Sequence, residues 1–426
     1  MAGLDDYLLR KVREHGREGP VTFIDEPEPE SILCPIISAD DHALEPADLF
    51  SGRVPEAFKD RVPYLGPGED GAPWWVIDGA QVPILLTNGA SGRPMAEWGI
   101  TASNYHELRR AVWDSKARIH DMDLCGVWAQ LCFGSLIWGF AGTRFSTMSD
   151  REAGLVSLRA YNQWMIEEWC GADLNRYIPC QLPWLADPSV AAQEIHANAD
   201  RGFKAVSFSE NPEGLGFPNI YDHVWDPFFR ACEETGTVIN LHVGSSGKTA
   251  VPSSSSAEEV ITVLFPVSGL EALADWVYSG VLFRFPGLKI ALSEAGCSWV
   301  PMALERFRRS HRQAGGTGRG GWPADGPTPM EIVRRNFVFT SIEDPAAFRM
   351  LDIIGEDNIM VETDYPHFDS TWPKCQEMIR SELTHLEPAT IRKVCYENAA
   401  RIYRHPLPPA EWVANSEVGR PTPVAV

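Results

Sequence analysis

Short apolar runs of four to seven residues recur along this chain, each followed by a longer stretch with helical spacing. That rhythm predicts strands alternating with amphipathic helices. The first run, Cys34-Pro-Ile-Ile-Ser-Ala-Asp-Asp-His-Ala-Leu-Glu45, passes from apolar residues into a carboxylate and an imidazole before Pro46. From Asn104, which is expected to cap a helix reaching about residue 123, the alternation is regular. Strands are predicted over 126–131, 177–182, 203–209, 237–242, 288–293, 337–341 and 359–363. Helices are predicted over 150–170, 187–200, 225–235 and 258–278 (interrupted near Pro266), through Arg312, and over 345–354. A Gly-rich loop at 315–326 follows the Arg312 helix, and two C-terminal helices close the series. Eight short strands alternating with helices predict an α/β fold with a parallel sheet closed into a (β/α)8 TIM barrel.

Four segments result: an arm over 1–33, a barrel over 34–404, an insertion or lid over 43–103 inside it, and a loose tail over 405–426. Within the insertion, Trp74-Trp75-Val76-Ile77-Asp78-Gly79 reads as a strand and a tight turn. Trp74 and Trp75 are candidates either to enclose an apolar substrate or simply to fill the core.

Charge narrows the partners. With 58 acidic and 37 basic residues the chain carries −21, which argues against nucleic acid and anionic membranes. No apolar run approaches the roughly 18 residues of a membrane span. The N-terminus lacks signal-peptide order, and nine cysteines without a Cys-x-x-Cys fit a reducing, cytoplasmic setting.

Candidate chemistry falls where such barrels keep it, at the carboxyl ends of strands. Strand alternation turns Asp40 and His42 to one face and Asp41 to the other. The fourth strand ends in Glu210, the fifth in His242, the sixth in Glu294 and the eighth in Asp364, with His367 just beyond. Carboxylates converging on one barrel mouth need a cation, so a metal site is expected. His242 taken alone reads more readily as a core histidine than as a ligand, and Glu210 equally as a helix-capping carboxylate.

Ser38-Ala-Asp-Asp-His-Ala-Leu-Glu-Pro46, Ala274-Asp-Trp-Val-Tyr-Ser-Gly-Val-Leu-Phe-Arg-Phe-Pro-Gly-Leu-Lys289 and Asp364-Tyr-Pro-His367 resemble the amidohydrolase superfamily. The branch is that of aminocarboxymuconate semialdehyde decarboxylase, and the resemblance covers about residues 34–404. It implies a metal held by Asp40, His42, His242 and Asp364. Two departures stand out: Asp40 replaces the first histidine of the usual His-x-His, and Glu294 replaces the usual sixth-strand histidine base. In binuclear superfamily members a fourth-strand carboxylate bridges two metals and the sixth strand ligates the second, roles that Glu210 and Glu294 match.

Ser209-Glu-Asn-Pro212, Leu241-His-Val-Gly-Ser-Ser246 and Glu362-Thr-Asp-Tyr-Pro-His-Phe-Asp-Ser-Thr-Trp-Pro373 are similar to a subgroup of nonheme di-iron monooxygenases of platensimycin and platencin biosynthesis. That likeness implies two Fe ions, an external electron donor, and O2-dependent hydroxylation of an unactivated C–H in a terpenoid small molecule carried as its CoA thioester. A donor set rich in carboxylates favours iron or manganese. Arg306, Arg308, Arg309, Arg312 and Arg319 are candidates for a CoA phosphate, against a solvated helix face. His367 is expected as a third ligand or a proton donor. The alternative is a mononuclear decarboxylase or hydrolase with one Zn or Mn. A homodimer is expected by analogy with the decarboxylase branch.

Overall fold

A computed structural model describes residues 4–15, 21–69, 71–248, 250–253, 255–257, 259–313, 322–323 and 325–419. Arg319, most of the Gly-rich loop and the last seven residues lie outside them. Eight parallel strands form the centre: β1 (Ile36–Ala43), β2 (Val127–Gly134), β3 (Tyr177–Ile178 and Cys180–Gln181), β4 (Ala205–Phe208), β5 (Val238–His242), β6 (Ile290–Ser293), β7 (Phe337–Ser341) and β8 (Ile359–Val361). The strands pair in sequence order, the first piece of β3 with β2 and the second with β4. The break is at Pro179, which has no N–H to give the ladder. Its carbonyl instead accepts from the N–H groups of Lys204 and Ala205.

The ring closes between β8 and β1, where Asp364 N–H donates to Asp40 O at 3.0 Å and His42 N–H to Tyr365 O at 2.7 Å. All eight residues of β1 are buried, as expected for a strand with the barrel interior on one face and helices on the other. The (β/α)8 barrel expected from the strand count is what the chain forms.

Several local expectations need correction. Asn104 does cap, with Glu107 completing a capping box, but the element is one 3-10 turn. The helix proper is Ser115–Leu124, capped by Asp114, whose carboxylate accepts from the N–H groups of Lys116 and Ala117. Asp114 competes better because the chain between these caps is spent on two 3-10 turns. The described part of the tail, 405–419, is not loose: Ala410–Asn415 is helical, and the N–H groups of Glu417 and Val418 donate to Ile32 and Leu33 carbonyls. The stretch Glu259–Tyr278 is as long and apolar as a membrane-crossing helix by composition, contrary to the reading of the apolar runs. It is two helices, Glu259–Val263 and Phe265–Tyr278, the second burying Leu273, Trp276 and Val277 on the barrel.

The insertion is a three-stranded antiparallel sheet (Tyr64–Pro67, Pro73–Ile77, Ala80–Val82) followed by loops that return to the barrel mouth. Asp78 and Gly79 both have positive φ, 53° and 82°, as the expected tight turn requires. Trp74 and Trp75 are core, each 1 % exposed. Trp75 lies edge-on to Phe50 and Trp138, and Trp74 packs with Tyr7 of the arm helix Leu4–His15. The arm is therefore fastened to the insertion, and neither tryptophan is among the described residues that line the cavity at the barrel mouth.

Candidate metal centre

At the carboxyl end of β1 the register with β2 slips between Ser38 and Asp41. Asp40 and His42 nonetheless face the barrel axis together, and their donor atoms group with those of His242 from β5. Asp41 turns the other way and clasps β8: its Oδ1 accepts from Thr363 Oγ1 at 2.5 Å and from Tyr365 N–H at 2.8 Å. His42 Nδ1 lies 3.4 Å from Gly134 O, and His242 Nδ1 lies 2.7 Å from Val243 O. With Nδ1 bound to a carbonyl, each ring turns Nε2 inward as a lone pair. The two Nε2 atoms are 3.1 Å apart. Around them, Asp40 Oδ1 is 3.4 Å and Asp364 Oδ1 3.2 Å from His42 Nε2, while Glu294 Oε2 is 3.2 Å from His242 Nε2.

The loop after β8 adds more. His367 stacks on His42 with ring centroids 3.7 Å apart, and its Nδ1 is 3.1 Å from Asp364 Oδ1. Phe368 N–H donates to Thr87 O at 3.0 Å and Thr371 N–H to Thr363 O at 3.1 Å, so the loop folds back over the barrel mouth. Tyr365 anchors it through a 2.6 Å bond to Asp121 and the Arg118 guanidinium 4.2 Å above its ring. Asp369 joins Glu294, Asp364 and His367 in one group of donor atoms.

Burial sets the electrostatics. It pushes the carboxyls of Asp40, Glu294, Asp364 and Asp369 well above the ordinary range, and neighbouring carboxylates push them further. The imidazoles move the opposite way, His42 well down, His242 to about 3 and His367 to about 4, again chiefly through burial. Neutral imidazoles are ligands in waiting. The oxygens of Asp40 and Asp364 are buried and receive no hydrogen bond among the described residues. Orphaned acceptors of this kind are costly unless a cation takes them, so the donor set fits a divalent metal. Glu294 and Asp364 also hold positive φ, 60° and 47°, a strained backbone that aims both carboxyls inward.

Of the residues expected at the metal, Asp40, His42, His242, Glu294 and Asp364 converge. Glu210 does not. It joins none of the groups of donor atoms: its Oε2 accepts from Gly244 N–H at 3.1 Å and Ser246 Oγ at 3.2 Å in the loop after β5, while its Oε1 is buried without a partner among the described residues. Asp369 and the buried Glu362, whose Oε2 accepts from Glu294 N–H at 3.3 Å, were not singled out from the sequence. Both lie in the Glu362–Pro373 stretch, whose density of acids was the available signal. Arg306, Arg308, Arg309 and Arg312 lie exposed along the helix Val300–Gln313, and none reaches the barrel mouth cavity.

That cavity has a volume of about 320 Å³ and meets the donor cluster at Glu294 and His367. Its walls come from Leu8 of the arm, Trp98 and Ile100 of the insertion, Phe140, and Phe265. Among the described residues lining it, none is lysine or arginine.

The family model described as Amidohydrolase matches residues 143–405, well over half of the chain. The chain belongs to the amidohydrolase family. A curated relative, the 2-amino-3-carboxymuconate-6-semialdehyde decarboxylase of Dictyostelium discoideum, is 22% identical over 275 residues, 64% of this chain and 72% of that protein. An amidohydrolase from Mycobacterium avium subsp. paratuberculosis superposes with a TM-score of 0.68 at 21% identity, covering 88% of this chain and all of that one. The 5-carboxyvanillate decarboxylase of Sphingomonas paucimobilis gives 0.59 at 22% identity over 88% of this chain and all of its own. That of Novosphingobium aromaticivorans, solved with manganese, gives 0.60 at 17% over 90% and 100%. These likenesses at low identity establish the barrel.

Proposed function

We propose that this chain is a metal-dependent decarboxylase or hydrolase of the amidohydrolase type, decarboxylation being favoured, acting on a largely apolar small molecule. One divalent ion would be held by Asp40, His42, His242 and Asp364. The observation that carries this reading is the set of buried, unpartnered oxygens of Asp40 and Asp364 around two inward Nε2 atoms. The decarboxylases among the relatives, one of them solved with manganese, support it, and a carboxylate-rich set suits manganese.

A bound divalent ion supplies Lewis acidity at a substrate oxygen. The chain's residues do the rest. The aromatic and aliphatic walls hold the substrate and exclude water. In decarboxylation the C–C bond to the carboxylate breaks, CO2 leaves, and a proton takes its place on carbon. His367 is placed to relay that proton as a neutral ring, giving it from Nε2, which is buried without a partner among the described residues, and taking one back at Nδ1, which faces Asp364.

Metal analysis with product analysis under anaerobic conditions tests the reading. One metal per chain with CO2 release or water addition supports it. A strict requirement for O2 with one oxygen atom gained by the product supports the second reading, di-iron hydroxylation of an apolar, CoA-linked substrate with an external electron donor. The absence of lysine and arginine among the described lining residues favours that second reading, whereas the bonds of Glu210 Oε2 to Gly244 and Ser246 leave only Oε1 for the expected bridge.

A further inference from the structure

The cavity at the barrel mouth has a neighbour. It touches the donor cluster through Glu294 and His367, and three of its lining residues, Leu8, Asn88 and Leu136, also line a second cavity of about 230 Å³. Arm and insertion enclose this second space, with Leu9 on one side and Val82, Ile84 and Leu85 on the other. We propose that the two cavities are one substrate site. The reacting end of an elongated apolar carboxylic acid lies at the donor cluster, and its hydrocarbon remainder passes Leu8 and Leu136 into the second cavity.

Three observations point to such an occupant. Leu8, Leu9, Leu136 and Ile261 pack on the small core that Tyr7 and Trp74 share with the insertion, yet all four stay half-buried, and each lines one or both cavities. Apolar side chains left open to an internal space gain from an apolar group that covers them, and cavities of this kind take apolar guests in preference to water. The polar side chains of the second cavity are partly spent within the protein. Ser135 gives its N–H and its hydroxyl to Glu45 at 3.0 and 2.6 Å, and Gln81 donates to Pro67 O at 2.9 Å. Asn88 and Arg144 are the remaining polar residues among those described in its lining. The junction is also fixed by the fold: Leu136 opens a 3-10 turn capped by the Ser135 hydroxyl, and Glu45 at the end of the first strand's loop holds that serine. A compact acid would fill only the mouth cavity and leave the second space void, whereas each further methylene buried there is worth about fourfold in affinity.

The inference rests on the donor cluster being the reaction site, and the test separates the two. The full chain, loaded with Mn2+, is titrated by calorimetry with straight-chain carboxylic acids from hexanoate to dodecanoate. Affinity is expected to rise about fourfold per added methylene across the series. Leu136→Trp fills the junction, and Leu9→Trp fills the second cavity from the half-buried arm helix. Each variant is expected to bind hexanoate as the parent does and dodecanoate about tenfold or more weakly. A dodecanoate affinity that both variants leave unchanged overturns the joined site and leaves the proposed function standing. Removing Mn2+ with a chelator reads the other claim: hexanoate binding is expected to fall with the metal. Hexanoate binding indifferent to Mn2+, with the length dependence and its loss in both variants intact, overturns the metal-held reacting end and leaves the joined cavities standing. No binding of any acid to the folded, Mn2+-loaded chain overturns both.

Discussion

Asp364 after β8 and Glu210 after β4 are both buried carboxyls at the tips of barrel strands, yet their surroundings differ. Asp364 lies within 3.2 Å of one histidine nitrogen and 3.1 Å of another, and no donor among the described residues satisfies its oxygens. Glu210 points one oxygen at the Gly244 N–H and the Ser246 hydroxyl. A strand-end position therefore supplies a carboxyl, and the neighbouring loop decides its use. Where the loop offers N–H and O–H donors, as at Glu210 Oε2, an oxygen is satisfied within the protein; where it offers none, as at both Asp364 oxygens, the proposed metal would take them.

The sharpest way to break the contrast is at Asp364. Asp364→Ala is expected to lower metal occupancy and cut activity by on the order of 10³ or more, since even outer partners of metal ligands cost about 10–100-fold. Chelating the parent chain should reproduce the loss and lower the unfolding temperature, because a ligand that binds only the folded state stabilises it. Unchanged metal content in Asp364→Ala would reverse the assignment. His367→Gln comes next. It keeps the loop but loses the titrating nitrogen, and a fall of about 10²–10⁴ in kcat with KM little altered is expected for a proton-transfer group. An equal effect on metal content alone would make it a ligand without that second role.

How far the sequence carried these assignments follows from the same contrast. Hydrophobic runs ending in Asp, His or Glu mark strands and their mouths because strand length and barrel closure are local and repetitive. Asp40, His42, His242, Glu294 and Asp364 were legible for that reason. Glu210 has the same signature, but the donors to its Oε2 lie some 34 and 36 positions onward, in a loop whose fold no local pattern reveals. Asp369 was missed for the converse reason. It lies past the strand end, and only the return of the loop through the Thr371–Thr363 bond brings it back to the cluster. The Trp74-Trp75 pair looked the same as a wall or as core until the arm helix was seen lying on it.

Glu210→Gln tests the other side of the comparison. Metal content should be unchanged, and activity should stay within about threefold, since the amide keeps one oxygen for Gly244 and Ser246. Loss of a metal ion would restore Glu210 as a ligand.

The smallest effect is the most specific one, because it is a slope and not a level. Burial raises the Glu210 carboxyl from its ordinary value near 4.5 to about 8, against the lowering effect of its bonds to Ser246 and Gly244. Between those two pH values the folded chain keeps a proton there that the unfolded chain has released. Folding stability from this group is then fully present below about pH 4.5 and is lost as pH rises towards about 8, by at most about 1.4 kcal/mol per pH unit. A glutamine has no proton to lose. The unfolding temperature of Glu210→Gln relative to the parent should therefore climb steadily from pH 5 to pH 8, both chains being measured at the same metal loading. A difference that stays flat across that range would mean the carboxylate is ionised in the folded chain at neutral pH. It would then have a cation beside it after all, and the distinction between a carboxyl satisfied within the protein and a ligand would fail at the residue on which it was drawn.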